Sequence, residues 1–184
     1  MPETRNTGIP TATNVDHVAW TVPDLDDAVR FFVEVLGGEE LFRAGPFNDP
    51  TGNWMNDQFD VPARASGILA MVRLGPTQVI ELLEWDTVDQ NTVWPRNDHV
   101  GATHIAIQVA DIAAASDYLR SHGCTPCGDR VHLENMPHAG ITIQYVRTPI
   151  SLYLELVNTP GTSLPYEATS TARLLTPAPA WTNA

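Results

Sequence analysis

The pattern of apolar and polar positions switches twice from strand-like to helical, in the same order each time. Residues 15–21 alternate with a period of two, which predicts a strand, and residues 24–36 then place apolar side chains at helical spacing. Asp24 is suited to cap this helix, and Gly37 with Gly38 to end it. The first segment therefore predicts a strand followed by an amphipathic helix.

The same order returns from residue 102, and each copy ends in further strands. After the first helix the sequence predicts a strand from Glu40 to Arg43, then two strands that meet at a Gly-Pro-Thr turn. The later predicted elements are strands at 68–74, 78–85 and 102–109, a helix at 111–122, a short strand near 126–131, and strands at 141–147 and 151–157. Two repeats of strand, helix and three strands predict an α+β protein made of tandem βαβββ modules.

The boundaries of the predicted parts follow from composition. A polar, proline-containing lead precedes the first module, a polar linker separates the modules, and a tail rich in Pro, Thr and Ala follows as an extended or disordered arm. Residues 45–67 form a long irregular stretch whose Trp54, Met55 and Phe59 favour a packed lid. The predicted ranges are 1–13 for the lead, 14–85 and 101–158 for the modules, 86–100 for the linker and 159–184 for the tail.

Four chemically active residues occupy matching positions in the repeat. His17 aligns with His104 on the first strands, and Glu81 aligns with Glu155 on the last strands. A buried carboxylate is costly unless it is paired or bound to metal, and here two occur at equivalent places. Two imidazoles and two carboxylates related by an internal repeat indicate a metal site, and hence a metalloenzyme.

Composition narrows the partners. The 184 residues are 43% hydrophobic and carry a formal net charge of −12, which disfavours a nucleic-acid partner. No apolar run approaches the length of a membrane span and no signal peptide is recognisable, so we expect a soluble, cytoplasmic protein without a membrane partner.

All ten basic residues are arginines. The absence of lysine excludes Schiff-base chemistry, attachment of pyridoxal phosphate and a phosphate-loop lysine. A lone Cys-x-x-Cys, Cys124 with Cys127, follows a predicted helix end and lacks the second ligand pair of a zinc site, so we assign it no function.

The sequence resembles the vicinal oxygen chelate superfamily, which includes glyoxalase I, methylmalonyl-CoA epimerase, extradiol dioxygenases and bleomycin-binding proteins. The resemblance covers roughly residues 14–158 and rests on DHVAWTVPDLDDAVRFFVEVLGG, QVIELLE, GATHIAIQVADIAAA and LYLELVN. It implies two βαβββ modules that form a curved mixed sheet around a central metal site. Carried over by position, the ligands would be His17, Glu81, His104 and Glu155, and the ion Fe, Mn, Co, Ni or Zn in its divalent state.

The segments look closest to the glyoxalase and epimerase branches, which implies proton abstraction beside a metal-bound carbonyl or enolate. Glu155 is the first candidate for a ligand that doubles as the base, Glu81 is the second, and Asp57 in the lid is a separate candidate. Since only Arg43 and Arg64 flank the lid, we expect a small substrate with vicinal oxygens rather than a large polyanion.

Two other functions remain open at this point. An Fe(II)-dependent extradiol-type dioxygenase would use His17, His104 and Glu155 as its metal triad, and Tyr145 would be an acid–base residue. Glu81 would then be a surplus acid, and His99 or His138 are the remaining candidates for the extra histidine base. A non-catalytic binding or resistance protein would predict loss of ligands, and all four are present. A homodimer is expected, and the tail from Gly161 could wrap a neighbouring chain.

Overall fold

The computed structural model describes residues 9–135, 137–159, 161 and 163–169. The strands are β1 (Val18–Thr21), β2 (Glu39–Asn48), β3 (Ser66–Leu74), β4 (Gln78–Asp86), β5 (His104–Gln108), β6 (Thr125–Pro126), β7 (Val131–His132), β8 (Thr142–Arg147) and β9 (Tyr153–Asn158). The helices are α1 (Leu25–Arg30), which continues as a π-helical turn (Phe31–Val35), α2 (Trp54–Phe59), α3 (Ile112–Ser121) and a 3₁₀ turn (Pro165–Ala168).

The strands form two mixed sheets, one in each module. The first has the order β1-β4-β3-β2, and the second has the order β5-β9-β8-β6 with β7 also paired to β8. In both sheets the first strand runs parallel to the last strand of its module, and the remaining pairs are antiparallel. The α+β class is thereby confirmed, as two curved mixed sheets with few helices.

The helices that follow β1 and β5 begin as their sequences predict. The Asp24 carboxylate accepts a hydrogen bond from the backbone N–H of Asp27 at 2.8 Å. Asp111 accepts from the N–H groups of both Ala113 and Ala114, at 2.8 and 3.1 Å. These caps satisfy amides that have no partner inside the helix, and so fix where each helix starts.

Two regions within the modules differ from the sequence-based expectation. The segment 45–67 is not a structureless loop, because β2 extends to Asn48 and α2 lies within it. Met55 on α2 is fully buried, which explains why this apolar segment folds into a helix. The single strand expected near 126–131 is split into β6 and β7, which pair with different parts of β8.

Part of the predicted C-terminal arm is also ordered. Leu164 is buried, and the N–H of Tyr166 donates to the carbonyl of Pro137 at 2.8 Å, which ties the 3₁₀ turn to the second module. The first eight residues of the predicted lead, and residues 160, 162 and 170–184 of the predicted tail, lie outside the described residues.

A single hydrophobic core joins the two modules. Its fully buried side chains include Phe32 and Leu82 from the first module and Leu154 from the second. The Tyr118 hydroxyl on α3 donates to the Val35 carbonyl at 3.0 Å, so the helical sides of the modules are in contact. Among the described helices, none has the length and apolar character that crossing a membrane requires.

Candidate active site

Each sheet has one face packed on helices and an opposite face that carries the candidate residues. On β4, Ile80 and Leu82 are buried in the core while Glu81, between them, points to the other side. On β9, Leu154 and Leu156 are buried in the same way, and Glu155 lies between them. Strand alternation therefore sends both glutamates to the face away from the helices.

The first histidine–glutamate pair forms at the start of β1. His17 immediately precedes β1, and its Nε2 lies 3.4 Å from an Oε2 of Glu81. The Glu81 side chain is 19% exposed and that of His17 is 34% exposed, so both side chains are partly buried but can still be reached from solvent. Parallel pairing places Ala19, two residues after His17, opposite Glu81.

The second module repeats this arrangement in the same register. His104 Nε2 lies 3.2 Å from Glu155 Oε2, with the side chains 39% and 15% exposed. Ala106, two residues after His104, pairs with Glu155 in the parallel β5–β9 ladder. Identical offsets in two independent ladders mean that both pairs are built by the same backbone geometry.

Asp16 contacts His17 and was not identified from the sequence. Its carboxylate lies 2.7 Å from His17 Nδ1, and this hydrogen bond raises the pKa of His17 above its ordinary value, with a further contribution from the charge of Glu81. A carboxylate on Nδ1 favours the tautomer that leaves Nε2 free to act as a ligand. The adjacent Asp-His dipeptide was the only signal available in the sequence.

Tyr145 lies directly opposite Glu155 in the antiparallel β8–β9 pair. Its ring meets the His104 ring edge to face, with centroids 5.2 Å apart. Burial raises the pKa of the Tyr145 hydroxyl above its ordinary value, and so does the nearby charge of Glu155. At neutral pH Tyr145 is therefore a protonated hydrogen-bond donor at the second pair.

The described residues do not bring the two pairs together into one cluster. No three His, Cys, Asp or Glu side chains within that part of the chain are grouped so that they could hold one ion. His17 with Glu81 and His104 with Glu155 thus remain two half-sites of two candidate ligands each.

The other candidates from the sequence have local contacts instead. The exposed Asp57 accepts a hydrogen bond from the Asn53 side chain at 2.6 Å, within the lid. His99 and His138 lie in turns. Among the described hydrogen bonds and ion pairs, none joins Asp57, His99 or His138 to either half-site.

Both cysteines are free thiols. Cys124 is buried, and burial raises its pKa to about 11, so it is a poor nucleophile at neutral pH. Cys127 is exposed, and its N–H donates to the Tyr145 carbonyl at 2.9 Å.

Comparison with known proteins agrees with this geometry. The family model described as glyoxalase/bleomycin resistance protein/dioxygenase superfamily matches residues 16–141. The chain belongs to this superfamily. An Actinomyces sp. protein named 2-epi-5-epi-valiolone epimerase is 43% identical over 177 residues, covering 96% of this chain and 95% of the relative.

Solved structures of the superfamily share the fold. A glyoxalase family protein from Bacillus cereus superposes with a TM-score of 0.64 at 20% identity, covering 84% of this chain and all of that one. The trypanothione-dependent glyoxalase I of Leishmania major gives a TM-score of 0.51 at 23% identity, with 80% of this chain and 87% of that one covered. At these identities the likeness is one of fold.

Proposed function

We propose that this protein is a divalent-metal-dependent epimerase that inverts a carbon next to the carbonyl of a small hydroxylated ketone. The observation that carries the proposal is the 43% identity, over almost the whole of both chains, to a protein named 2-epi-5-epi-valiolone epimerase. That name denotes a polyhydroxylated cyclic ketone, in which a carbonyl and a neighbouring hydroxyl supply two vicinal oxygens. This compound is the first substrate to test.

The donor atoms of the half-sites fit a divalent ion. Imidazole nitrogen and carboxylate oxygen suit Fe, Mn, Co, Ni or Zn. Two neighbouring ligands at roughly 2.0–2.2 Å from one ion would lie about 3 Å apart, close to the 3.4 and 3.2 Å of the two histidine–glutamate pairs. An ion held by these four residues would polarise the ketone and lower the barrier to losing the adjacent proton.

We further propose that the half-sites meet between two copies of the chain. Two protein ligands are too few for a catalytic site of this kind, which usually has three or more. In each sheet the strand that begins at or just after the histidine, β1 or β5, is an edge strand within the described residues and pairs with a single neighbour. A twofold dimer would bring His17 and Glu81 of one copy to His104 and Glu155 of the other, and would complete two sites.

The arrangement provides a base on each side of the substrate. Epimerisation moves the proton of the C–H bond to one carboxylate, leaves the electron pair in an enolate, and returns a proton to the opposite face of the same carbon. With one glutamate contributed by each half-site, Glu81 serves one face and Glu155 the other. The net reaction consumes no oxidant or reductant.

The first experiment measures metal content and epimerase activity together. Protein loaded separately with Fe, Mn, Co, Ni or Zn is incubated with 2-epi-5-epi-valiolone in D₂O, and epimer formation and deuterium at the inverted carbon are followed by NMR. We expect inversion with deuterium incorporation, lost in Glu81→Gln and Glu155→Gln and kept in the exposed control Glu34→Gln. Activity in metal-stripped protein, or in both glutamate variants, would contradict the proposal.

A complementation experiment tests the shared site. One chain carries His17→Ala with Glu81→Gln, and the other carries His104→Ala with Glu155→Gln. Each is inactive alone, but a mixed dimer would regain one intact site from the unmodified half of each chain. If co-expression restores no activity although mixed dimers form, the site lies within one chain.

A dioxygenase is the second candidate, and Tyr145 is the observation that favours it. The tyrosine ring packs on His104 and stands opposite Glu155, where an acid–base group at a triad with His17 would be needed. Incubation of the Fe(II)-loaded protein with catechols and oxygen tests this function. Ring cleavage without epimerase activity would favour the dioxygenase.

A further inference from the structure

The two half-sites share a backbone geometry but differ at one neighbouring position. In the antiparallel β8–β9 pair, Tyr145 stands opposite Glu155. In the antiparallel β3–β4 pair, Met71 stands opposite Glu81. Since β3 and β8 are equivalent strands, each residue approaches its glutamate from the same side.

The two neighbours offer different interactions. Tyr145 stands directly opposite Glu155 in its ladder and packs its ring edge to face on His104, so the ring that bears its hydroxyl lies beside both members of its pair. A methionine has no hydrogen to donate. His17 is the ion-pair partner of Glu81, and the residue opposite Glu81 in its ladder, Met71, carries no hydroxyl.

We propose that Tyr145 is a positioning residue whose hydroxyl donates a hydrogen bond to the Glu155 carboxylate and holds it in one orientation. The proton transfer at Glu155 then has an orienting donor, whereas the proton transfer at Glu81 has none. This inference rests on the proposed function. The C–H proton of one epimer goes to Glu155, whose orientation Tyr145 fixes. The C–H proton of the other epimer goes to Glu81, which is oriented without such a donor.

This hydrogen bond, called the tether below, matters because a proton acceptor must be held in line with the bond it breaks. Misplacement by about 1 Å costs on the order of 100-fold in rate. Tyr145→Phe removes the hydroxyl and keeps the ring that packs on His104, so it changes the tether with little change in packing. Met71→Leu is the matched control, because it alters the equivalent position without removing a hydrogen bond.

The decisive measurement is exchange of the carbon-bound proton for deuterium, followed separately from each of the two epimers of the cyclic hydroxyketone at saturating metal. We expect Tyr145→Phe to slow exchange from one epimer by about 10- to 100-fold and to leave exchange from the other within about twofold. We expect Met71→Leu to leave both unchanged. Equal loss from both epimers, or no loss, would overturn the inference.

Titration with Co²⁺ alone supplies a readout that needs no turnover. Loss of a hydrogen bond to a metal ligand typically weakens metal binding by about 10- to 100-fold. We expect such a loss in Tyr145→Phe and an unchanged affinity in Met71→Leu; equal affinities in the two variants would contradict the tether. Wild-type protein that exchanges neither epimer would instead reject the proposed function, so the two failures are distinguishable.

Discussion

The strands farthest from the half-sites differ most between the two modules. In the first module this strand is β2, ten residues long and followed by the lid helix α2. In the second module β6 and β7, of two residues each, stand in the same place. The strands that carry the glutamates, and the strands that begin at or just after the histidines, keep one register in both modules. The repeat has therefore retained what positions the candidate ligands and has changed what surrounds them.

The side chains around the two glutamates also differ between the modules. Beyond Glu81 the first module presents an aromatic cluster in which Phe59 meets Phe47 and Trp85, with ring centroids 5.7 Å apart in both contacts. Around Glu155 the second module presents Tyr145 and, by strand alternation, Tyr153. One side of a shared site would thus be apolar and the other rich in hydroxyl groups, as suits a ring with a hydrocarbon face and polar edges.

The largest expected effect follows the removal of a histidine from either half-site. It tests whether the two half-sites contribute equally to metal binding. We expect His17→Ala and His104→Ala each to lower metal affinity by at least about 1000-fold. Loss of a group that only hydrogen-bonds to a ligand already lowers metal affinity by about 10- to 100-fold, and loss of the ligand itself should lower it more. Metal analysis of purified protein and Co²⁺ titration measure this, with the exposed His99→Ala as control. Retention of metal by one variant would show that the pairs are not equivalent.

The shared core predicts equal losses of stability. Leu82 and Leu154 are both fully buried, one in each module. We expect Leu82→Ala and Leu154→Ala each to lower the free energy of unfolding by about 2–5 kcal/mol. Both should shift one cooperative urea transition, whereas Leu41→Ala, at a 43% exposed side chain, should shift it far less. Two separate transitions would mean that the modules unfold independently.

The lid, present in one module, should respond to a change at Asp49. Its carboxylate accepts from the backbone N–H of Trp54 and of Gly52, and these hydrogen bonds lower the pKa of Asp49 below its ordinary value. The order they give the lid is therefore present above the unfolded pKa of 3.8 and is lost as pH falls through the lowered folded value.

Asp49→Asn removes one of the two carboxylate oxygens that accept these bonds. We expect hydrogen exchange of the Trp54 amide to become several-fold faster at neutral pH, with no change in the second module. Asp60→Asn is the control, because Asn also tolerates the left-handed backbone of Asp60. Unchanged exchange at Trp54 would show that Asp49 does not order the lid.

The smallest effects concern the two helix caps. We expect Asp24→Ala and Asp111→Ala each to cost about 1 kcal/mol of stability, with the larger loss at Asp111 because it caps two amides instead of one. Urea unfolding measures the difference, with the exposed Asp117→Ala on α3 as control. A larger loss at Asp24 would indicate that its cap has a further structural role.

The sequence was sufficient to predict the elements that alternation and capping specify. The switch from a two-residue to a helical period located β1, α1, β5 and α3, and matching positions in the repeat identified His17 with His104 and Glu81 with Glu155. These features are local or periodic, so they are visible in a single chain. Their assignment as metal ligands stays a prediction.

Features that depend on contacts between distant segments could not be predicted. The lid helix forms because Met55 is buried under tertiary contacts, whereas its own sequence carries weak helix signals. Whether the half-sites meet within one chain depends on how the modules pack, and periodicity contains no information on that packing. The contact between Asp16 and His17 could not be predicted either, because it depends on the geometry of one hydrogen bond.

The continuous core has a consequence for how such a chain arises and changes. A half-length ancestor with the apolar face of a single module would have needed a second copy of itself to cover that face. Joining two copies in one gene makes this pairing permanent, and each position then exists twice, free to mutate separately. The methionine at position 71 and the tyrosine at position 145 are an instance of that freedom, because equivalent positions of the two modules now carry different side chains beside the candidate ligands.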